Sequence, residues 1–197
     1  MLVKIFIFLA KTYFRLFNRI EVKGLERIPL SGPLIVVANH ISYADPPALL
    51  PYIGALRPLR VLAKKELFRI WPMGPLLRGL GVIPVDRKRE GGDLGALRTA
   101  LEVLKEGHCL VLFPEGTRAK GRKLEPKAGV ALLAHKTGAP VLTARIFNSE
   151  NFLKLGKITI KFGNIRSFTP PPGTERKEAY AEFSRTIMSD IFAITEN

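Results

Sequence analysis

From Leu34 to Phe162 short apolar runs alternate with longer segments of helical spacing, and this alternation constrains the chain to an α/β architecture. The runs are Leu34–Ala38, Leu59–Ala63, Val82–Val85, Cys109–Phe113, Val141–Ile146 and Lys157–Phe162, each of a length suited to a buried strand. Between them, Asp93 to Glu106 reads as a helix: Leu94, Leu97, Leu101 and Leu104 form its apolar stripe, Asp93 can cap its start and Gly107 its end. A second helix is predicted over Lys127–Lys136, stopped by Gly138. A third is predicted from about Thr174, after the Pro170–Pro172 break, with Tyr180, Phe183, Ile187 and Ile191 on one face. No repeat or linker divides the chain, and 197 residues suffice for a core. The expectation is a single domain built on a mixed, mostly parallel sheet flanked by helices. In such folds ligands gather beyond the strand ends, so the loops leaving the strands are where chemistry is sought.

Residues 1–20 stand apart from that pattern, with 21–197 expected to form the domain proper. The segment is rich in Leu, Ile and Phe, yet its longest apolar run after Lys4 is Ile5–Ala10, far short of the ~20 residues a spanning helix needs. No small-residue cleavage site follows, so a removed signal peptide is not expected. At helical spacing Lys4, Lys11, Arg15 and Asn18 fall on one side, while Phe6, Leu9, Tyr13, Phe17 and Ile20 occupy much of the rest. A basic strip beside a wide aromatic face predicts an amphipathic helix lying in a membrane interface. A terminal helix docking on the protein's own core is the alternative.

Charge narrows the class of partner without choosing among them. Lys and Arg total 31 against 17 Asp and Glu, a formal net charge of +14. Such a field attracts nucleic acid, anionic lipid or phosphorylated substrates. Cys109 is the single cysteine, so no intrachain disulfide can form and a reducing compartment fits. His40, His108 and His135 are scattered, with no His-Glu-x-x-His or paired-cysteine motif, so no metal site is expected.

Three strand-end loops carry chemically competent residues. Asn39-His40-Ile41-Ser42-Tyr43-Ala44-Asp45-Pro46-Pro47 follows the first run. On a continuous helix His40 and Asp45 would lie ~140° apart. A turn before a helix starting at Asp45-Pro46 lets them meet, because the residue preceding a proline avoids the helical region and proline suits a helix's first position. Asp45 could then hold the imidazole while its other nitrogen serves as a general base. A loop histidine beside an ordinary Asp cap fits the same residues equally well. No Gly-x-Ser-x-Gly elbow supports Ser42 as a nucleophile.

Phe113-Pro114-Glu115-Gly116-Thr117-Arg118 follows the fourth run: proline ends the ladder, Gly116 permits a tight turn, Glu115 can accept from a hydroxyl and Arg118 can grip a phosphate. A surface ion pair between Glu115 and Arg118 is the bland alternative. Gly81-Val82-Ile83-Pro84-Val85-Asp86-Arg87 repeats the layout, with Arg87 as a second phosphate candidate that Asp86 could orient, or merely part of a charge cluster with Lys88, Arg89 and Glu90.

Asn-His-x-Ser-x-x-Asp-Pro, Gly-x-x-x-x-Asp-Arg and Phe-Pro-Glu-Gly-Thr-Arg in that order resemble the 1-acyl-sn-glycerol-3-phosphate (lysophosphatidic acid) acyltransferases of the glycerolipid acyltransferase superfamily. The likeness runs from about Gly24 to Phe162. It implies that His40 is the general base and Asp45 its partner, that Arg87 and Arg118 meet the substrate phosphate, and that Glu115, Gly116 and Thr117 line the glycerol-phosphate site. Ala63-Lys64-Lys65-Glu66-Leu67 is similar to a lysine-bearing segment in relatives, which brings Lys64 toward the phosphate as well. The implied reaction is direct acyl transfer from acyl-CoA or acyl-carrier protein to the sn-2 hydroxyl of lysophosphatidic acid, without cofactor, metal or nucleic acid. The expected location is peripheral or monotopic on the cytoplasmic face of the membrane, with anionic lipid as partner. The fit is poorer where relatives usually carry a proline and Thr143 stands, and Arg145 is unexpected in an apolar strand. Competing readings are the same chemistry on glycerol-3-phosphate or a lyso-aminolipid, a thioester hydrolase, and a basic membrane- or nucleic-acid-binding protein without catalysis.

Overall fold

Five of the six predicted strands begin at the expected residue: β2 (Leu34–Ala38), β3 (Leu59–Lys64), β4 (Val82–Val85), β5 (Cys109–Leu112) and β6 (Val141–Phe147). The computed structural model describes residues 2–86, 92–116, 118, 126 and 128–196. The sixth run starts later and runs longer than its apolar core, as β7 (Thr159–Arg166), and a three-residue strand too short to leave a periodic signal, β1 (Glu21–Lys23), precedes them all. The seven strands form one sheet in the order β1-β7-β6-β2-β5-β3-β4. β6, β2, β5, β3 and β4 are mutually parallel, β7 runs antiparallel to β6, and β1 pairs parallel with β7. The mixed, mostly parallel α/β sheet is therefore present.

β2 is buried on both faces, as a central parallel strand should be. Leu34, Val36 and Ala38 point into a core covered by α1 (Leu2–Phe17), α2 (Asp45–Leu56) and α3 (Met73–Gly79). Ile35 and Val37 point to the opposite core, beneath α4 (Gly92–Lys105), α5 (Gly129–Thr137) and α6 (Arg176–Ala193). In α6 the expected face of Tyr180, Phe183, Ile187 and Ile191 is buried, and Gly138 ends α5 in the left-handed conformation. In α4 Leu97, Leu101 and Leu104 of the expected stripe pack on this core together with Ala100 and Val103, while Leu94 is exposed.

In the N-terminal helix the expected apolar face is exposed at Leu9, Tyr13 and Phe17, but part of the expected basic strip turns inward. The inward side is the one bearing Lys11, Phe14 and Asn18, with Phe14 in the core and Lys11 lying over the Tyr52 ring of α2. Asn18 is not part of a solvated strip. It is buried and donates to the carbonyls of Phe152 and Gly156 at 2.9 and 3.1 Å, tying the helix end to the segment before β7. Ile5, Phe8, Leu9, Leu16 and Phe17 stay exposed. Among the described residues no helix is long and apolar enough to cross a membrane.

The unexpected pair in β6 has a structural explanation. The Thr143 hydroxyl donates to the Asn164 carbonyl at 3.3 Å, beside a bulge in the β6–β7 ladder. Arg145 donates to the Phe192 and Ile194 carbonyls at 2.5 and 2.7 Å, between the rings of Phe147 and Phe192. It thereby satisfies the open carbonyls at the end of α6, where a cation also meets the helix dipole.

At the far sheet edge Glu21 bonds both Lys157 and Lys23, which hold its carboxyl down to about 2 from the usual 4.5. A carboxyl depressed in the folded state contributes stability that is present above its ordinary value and lost as pH falls toward the depressed one. Glu21→Gln should therefore narrow the stability gap to wild type as pH drops from about 4.5 to about 2, read as urea midpoints across that range.

Candidate active site

Because β6, β2, β5, β3 and β4 are parallel, the loops after their C-terminal ends emerge on one side of the sheet. β2 lies between β6 and β5, so its loop is flanked by theirs. The loop after β5, and the one after β6 that the sequence did not single out, meet it there.

Asn39, the first residue beyond β2, is buried and uses its amide as a strand would. Its Nδ2 donates to the Ile146 carbonyl at 2.9 Å, and its Oδ1 accepts from the Ile146 N–H at 2.7 Å. The ladder to β6 is thus extended by a side chain while the backbone turns away. His40 follows on the loop and Asp45 is the first residue of α2.

Asp45 does not act as the expected cap, which is Ala44. Pro46 and Pro47 have no N–H to offer a capping carboxylate. Its oxygens turn back instead. Oδ2 accepts from His40 Nδ1 at 2.8 Å, from the Ile41 N–H at 2.7 Å and from the Ser42 N–H at 2.8 Å. Oδ1 accepts from the Ser149 hydroxyl. Four donors match the lone-pair sites of a carboxylate, and its side chain is 0% exposed. His40, at 18% exposure, keeps an edge open. With Nδ1 donating to Asp45, Nε2 is the nitrogen available to take a proton.

The loop after β5 completes the setting. Phe113 stacks on the His40 ring with 4.4 Å between centroids. Gly116 turns at φ +70°, and its N–H bonds the Phe113 carbonyl at 3.0 Å, so the chain doubles back at Glu115. Glu115 is buried and its Oε2 accepts the His40 backbone N–H at 3.0 Å. Burial pushes its carboxyl up; the His40 bond and charge oppose that, and Asp45 adds to it. Arg118 lies flat on Tyr43, with its carbon 3.5 Å from the ring centroid and Nη2 donating to the Tyr43 hydroxyl at 2.7 Å. Glu115 and Arg118 thus engage the loop after β2 rather than forming the surface pair considered above. Thr117 and Arg87 lie outside the described residues. Lys64 ends β3 exposed on the same side of the sheet, and Lys65 bonds Asp86, joining the ends of β3 and β4. Cys109 is buried at the opposite end of β5, where burial pushes its thiol up to about 11.

Ser149, Phe113 and Tyr43 are contacts that sequence reasoning missed. Ser149 carries no local signal, being 104 residues from Asp45. The chemistry this arrangement permits is proton removal by a fixed imidazole at the mouth of a parallel sheet, beside a planar cation. No group of three His, Cys, Asp or Glu able to hold a metal occurs among the described residues.

A family model described as Acyltransferase matches residues 19–147. The 1-acyl-sn-glycerol-3-phosphate acyltransferase of Borreliella burgdorferi is 36% identical over 135 residues, covering 68% of this chain and 53% of its own length. The chloroplastic enzyme of that name from Brassica napus is 31% identical over 79% of this chain and 45% of its own length, so this chain spans about half of each. The Bacillus subtilis protein of the same name is 28% identical and covered to 83% on both sides. The crystal structure of the 1-acyl-sn-glycerophosphate acyltransferase PlsC from Thermotoga maritima superposes with a TM-score of 0.72 at 28% identity, over 99% of this chain and 81% of that one.

The Ser149 hydroxyl serves a buried carboxylate, so Ser149→Ala should cost about 1–3 kcal/mol in urea unfolding.

Proposed function

The chain belongs to the acyltransferase family, and from that premise we propose that it moves a fatty acyl group from an acyl thioester to the sn-2 hydroxyl of lysophosphatidic acid, giving phosphatidic acid. The observation that carries this reading is the His40–Asp45 pair, with Nδ1 held at 2.8 Å by a carboxylate whose other contacts are all satisfied. His40 Nε2 removes the proton of the acceptor hydroxyl as its oxygen attacks the thioester carbonyl. The tetrahedral intermediate then collapses, the carbon–sulfur bond breaks, and His40 returns the proton to the leaving thiolate. Asp45 orients the ring and stabilises the imidazolium that forms between these steps. No acyl-enzyme is required.

Arg118, with Arg87 and Lys64, is the cation set for the acceptor phosphate, and Glu115, Gly116 and Thr117 line the glycerol end. Acyl-CoA and acyl-carrier protein are both anionic, and a net charge of +14 suits either as donor. α1 supplies the place of work: its exposed Ile5, Phe8, Leu9, Leu16 and Phe17 fit a helix lying in the cytoplasmic face of the membrane, where acceptor lipid is found.

Purified protein supplied with labelled lysophosphatidic acid and acyl thioester should form phosphatidic acid. His40→Ala should lower that rate by at least ~100-fold with vesicle binding and circular dichroism unchanged; a fully active variant would exclude His40 as the base. Arg118→Ala should chiefly raise KM for the phosphorylated acceptor, if its contact is equal in ground and transition states. Thioester consumption that ignores the acceptor would identify a hydrolase, and a panel with glycerol-3-phosphate and lyso-aminolipids tests the head group.

A further inference from the structure

The two helical layers differ in what they leave uncovered. Over the core beneath α4, α5 and α6, exposed large apolar side chains are scattered, such as Leu94 and Phe192. The layer of α1, α2 and α3, besides Leu56 at the end of α2, exposes two groups: the outer face of α1, and Leu67, Ile70, Trp71 and Met73 in the connection from β3 to β4. α1 packs against α3, so the two groups belong to neighbouring elements of one layer.

The connection is built to present its tip. A 3-10 turn over Lys65–Arg69 leads to Ile70-Trp71-Pro72-Met73, and α3 returns the chain to β4. The Ile70 N–H bonds the Leu67 carbonyl at 3.4 Å, and the Gly74 N–H bonds the Ile70 carbonyl at 2.8 Å. Phe68 anchors the base in the core, and α3 approaches it so closely that a Cβ on Gly74 would lie 2.1 Å from the Phe68 carbonyl oxygen. A closed, pinned turn cannot fold its apolar residues inward. Trp71 is 84% exposed. Exposed Arg69 immediately precedes the tip, exposed Arg78 lies over the Phe68 ring at its base, and Glu66 is the sole acid between Lys64 and Val85.

We propose that the Ile70–Met73 tip is a second membrane-insertion element, entering the interface of bilayers that carry anionic headgroups. A tryptophan with an apolar body and an N–H suits that boundary, and these arginines suit the headgroups. This rests on the membrane-surface reading of α1 and adds to it a fixed orientation. One helix in an interface leaves the domain able to roll about the helix axis; a second insertion point stops the roll. The connection leaves from the C-terminal end of β3, so the element borders the sheet end that carries His40.

Trp71 is the only tryptophan, so its emission reports on this tip alone. The full chain is titrated with phosphatidylcholine vesicles with and without phosphatidylglycerol, with sedimentation in parallel, and then with brominated acyl chains as quencher. A blue shift and quenching that require the anionic lipid are expected. Trp71→Ser should weaken vesicle affinity roughly 10-fold or more, while turnover of a monomeric short-chain lysolipid is unchanged. Vesicles that bind the protein without shifting or quenching Trp71 would overturn this element and leave α1 as the anchor. Failure to bind vesicles would overturn both. Blue-shifted emission before lipid is added, with self-association on sedimentation, would assign the tip to a second copy and overturn the proposal.

Discussion

Removing the Asp45 carboxylate would leave four donors without an acceptor: an imidazole N–H, two backbone N–H groups and a buried hydroxyl. Breaking a buried charged contact of this kind costs several kcal/mol, of the order of a domain's whole stability margin. Asp45 therefore fixes the loop between β2 and α2 as well as the ring of His40. The carboxylate is free to look backward because Pro46 and Pro47 deprive the helix start of the N–H groups that would otherwise recruit it. The first residue of α2 and its two prolines thereby become a support for the loop that carries His40.

Strand order makes that support three-dimensional. β2 lies between β6 and β5, and each neighbour sends one buried polar group to the loop that β2 releases. From β6 comes Ser149, along with the backbone of Ile146 that Asn39 pairs with; from β5 comes Glu115, which holds the His40 N–H. Phe113 then closes one face of the imidazole. The exposed edge of His40 is what remains after these contacts, so the direction in which its ring is open is set by the sheet rather than by the loop alone.

The helical layers divide the remaining work. α4, α5 and α6 bury their apolar stripes conventionally, and Arg145 closes the end of α6. The other layer covers the sheet with a narrow side of α1 and turns broad apolar surfaces outward. Exposed apolar surface is costly in water, and that cost is what motivates the proposed membrane contact.

Much of this was legible in the residues. The six apolar runs, the turn forced by Asp45 before two prolines and the tight turn at Gly116 are local consequences of burial and backbone freedom, and local rules recover them. The short Glu21–Lys23 strand, the inward side of α1 and the exposure of Leu94 at the start of α4 are not local: each depends on which neighbour the element meets. The same is true of Ser149, which no spacing connects to Asp45, and of Arg145, whose partners are carbonyls at the end of a helix far along the chain. By itself the sequence determined that His40 and Asp45 could meet. Tertiary structure decided that the meeting would be rigid, because the β6-β2-β5 order adds Ser149 to the three local donors on the Asp45 carboxylate and brings Glu115 to hold the His40 N–H.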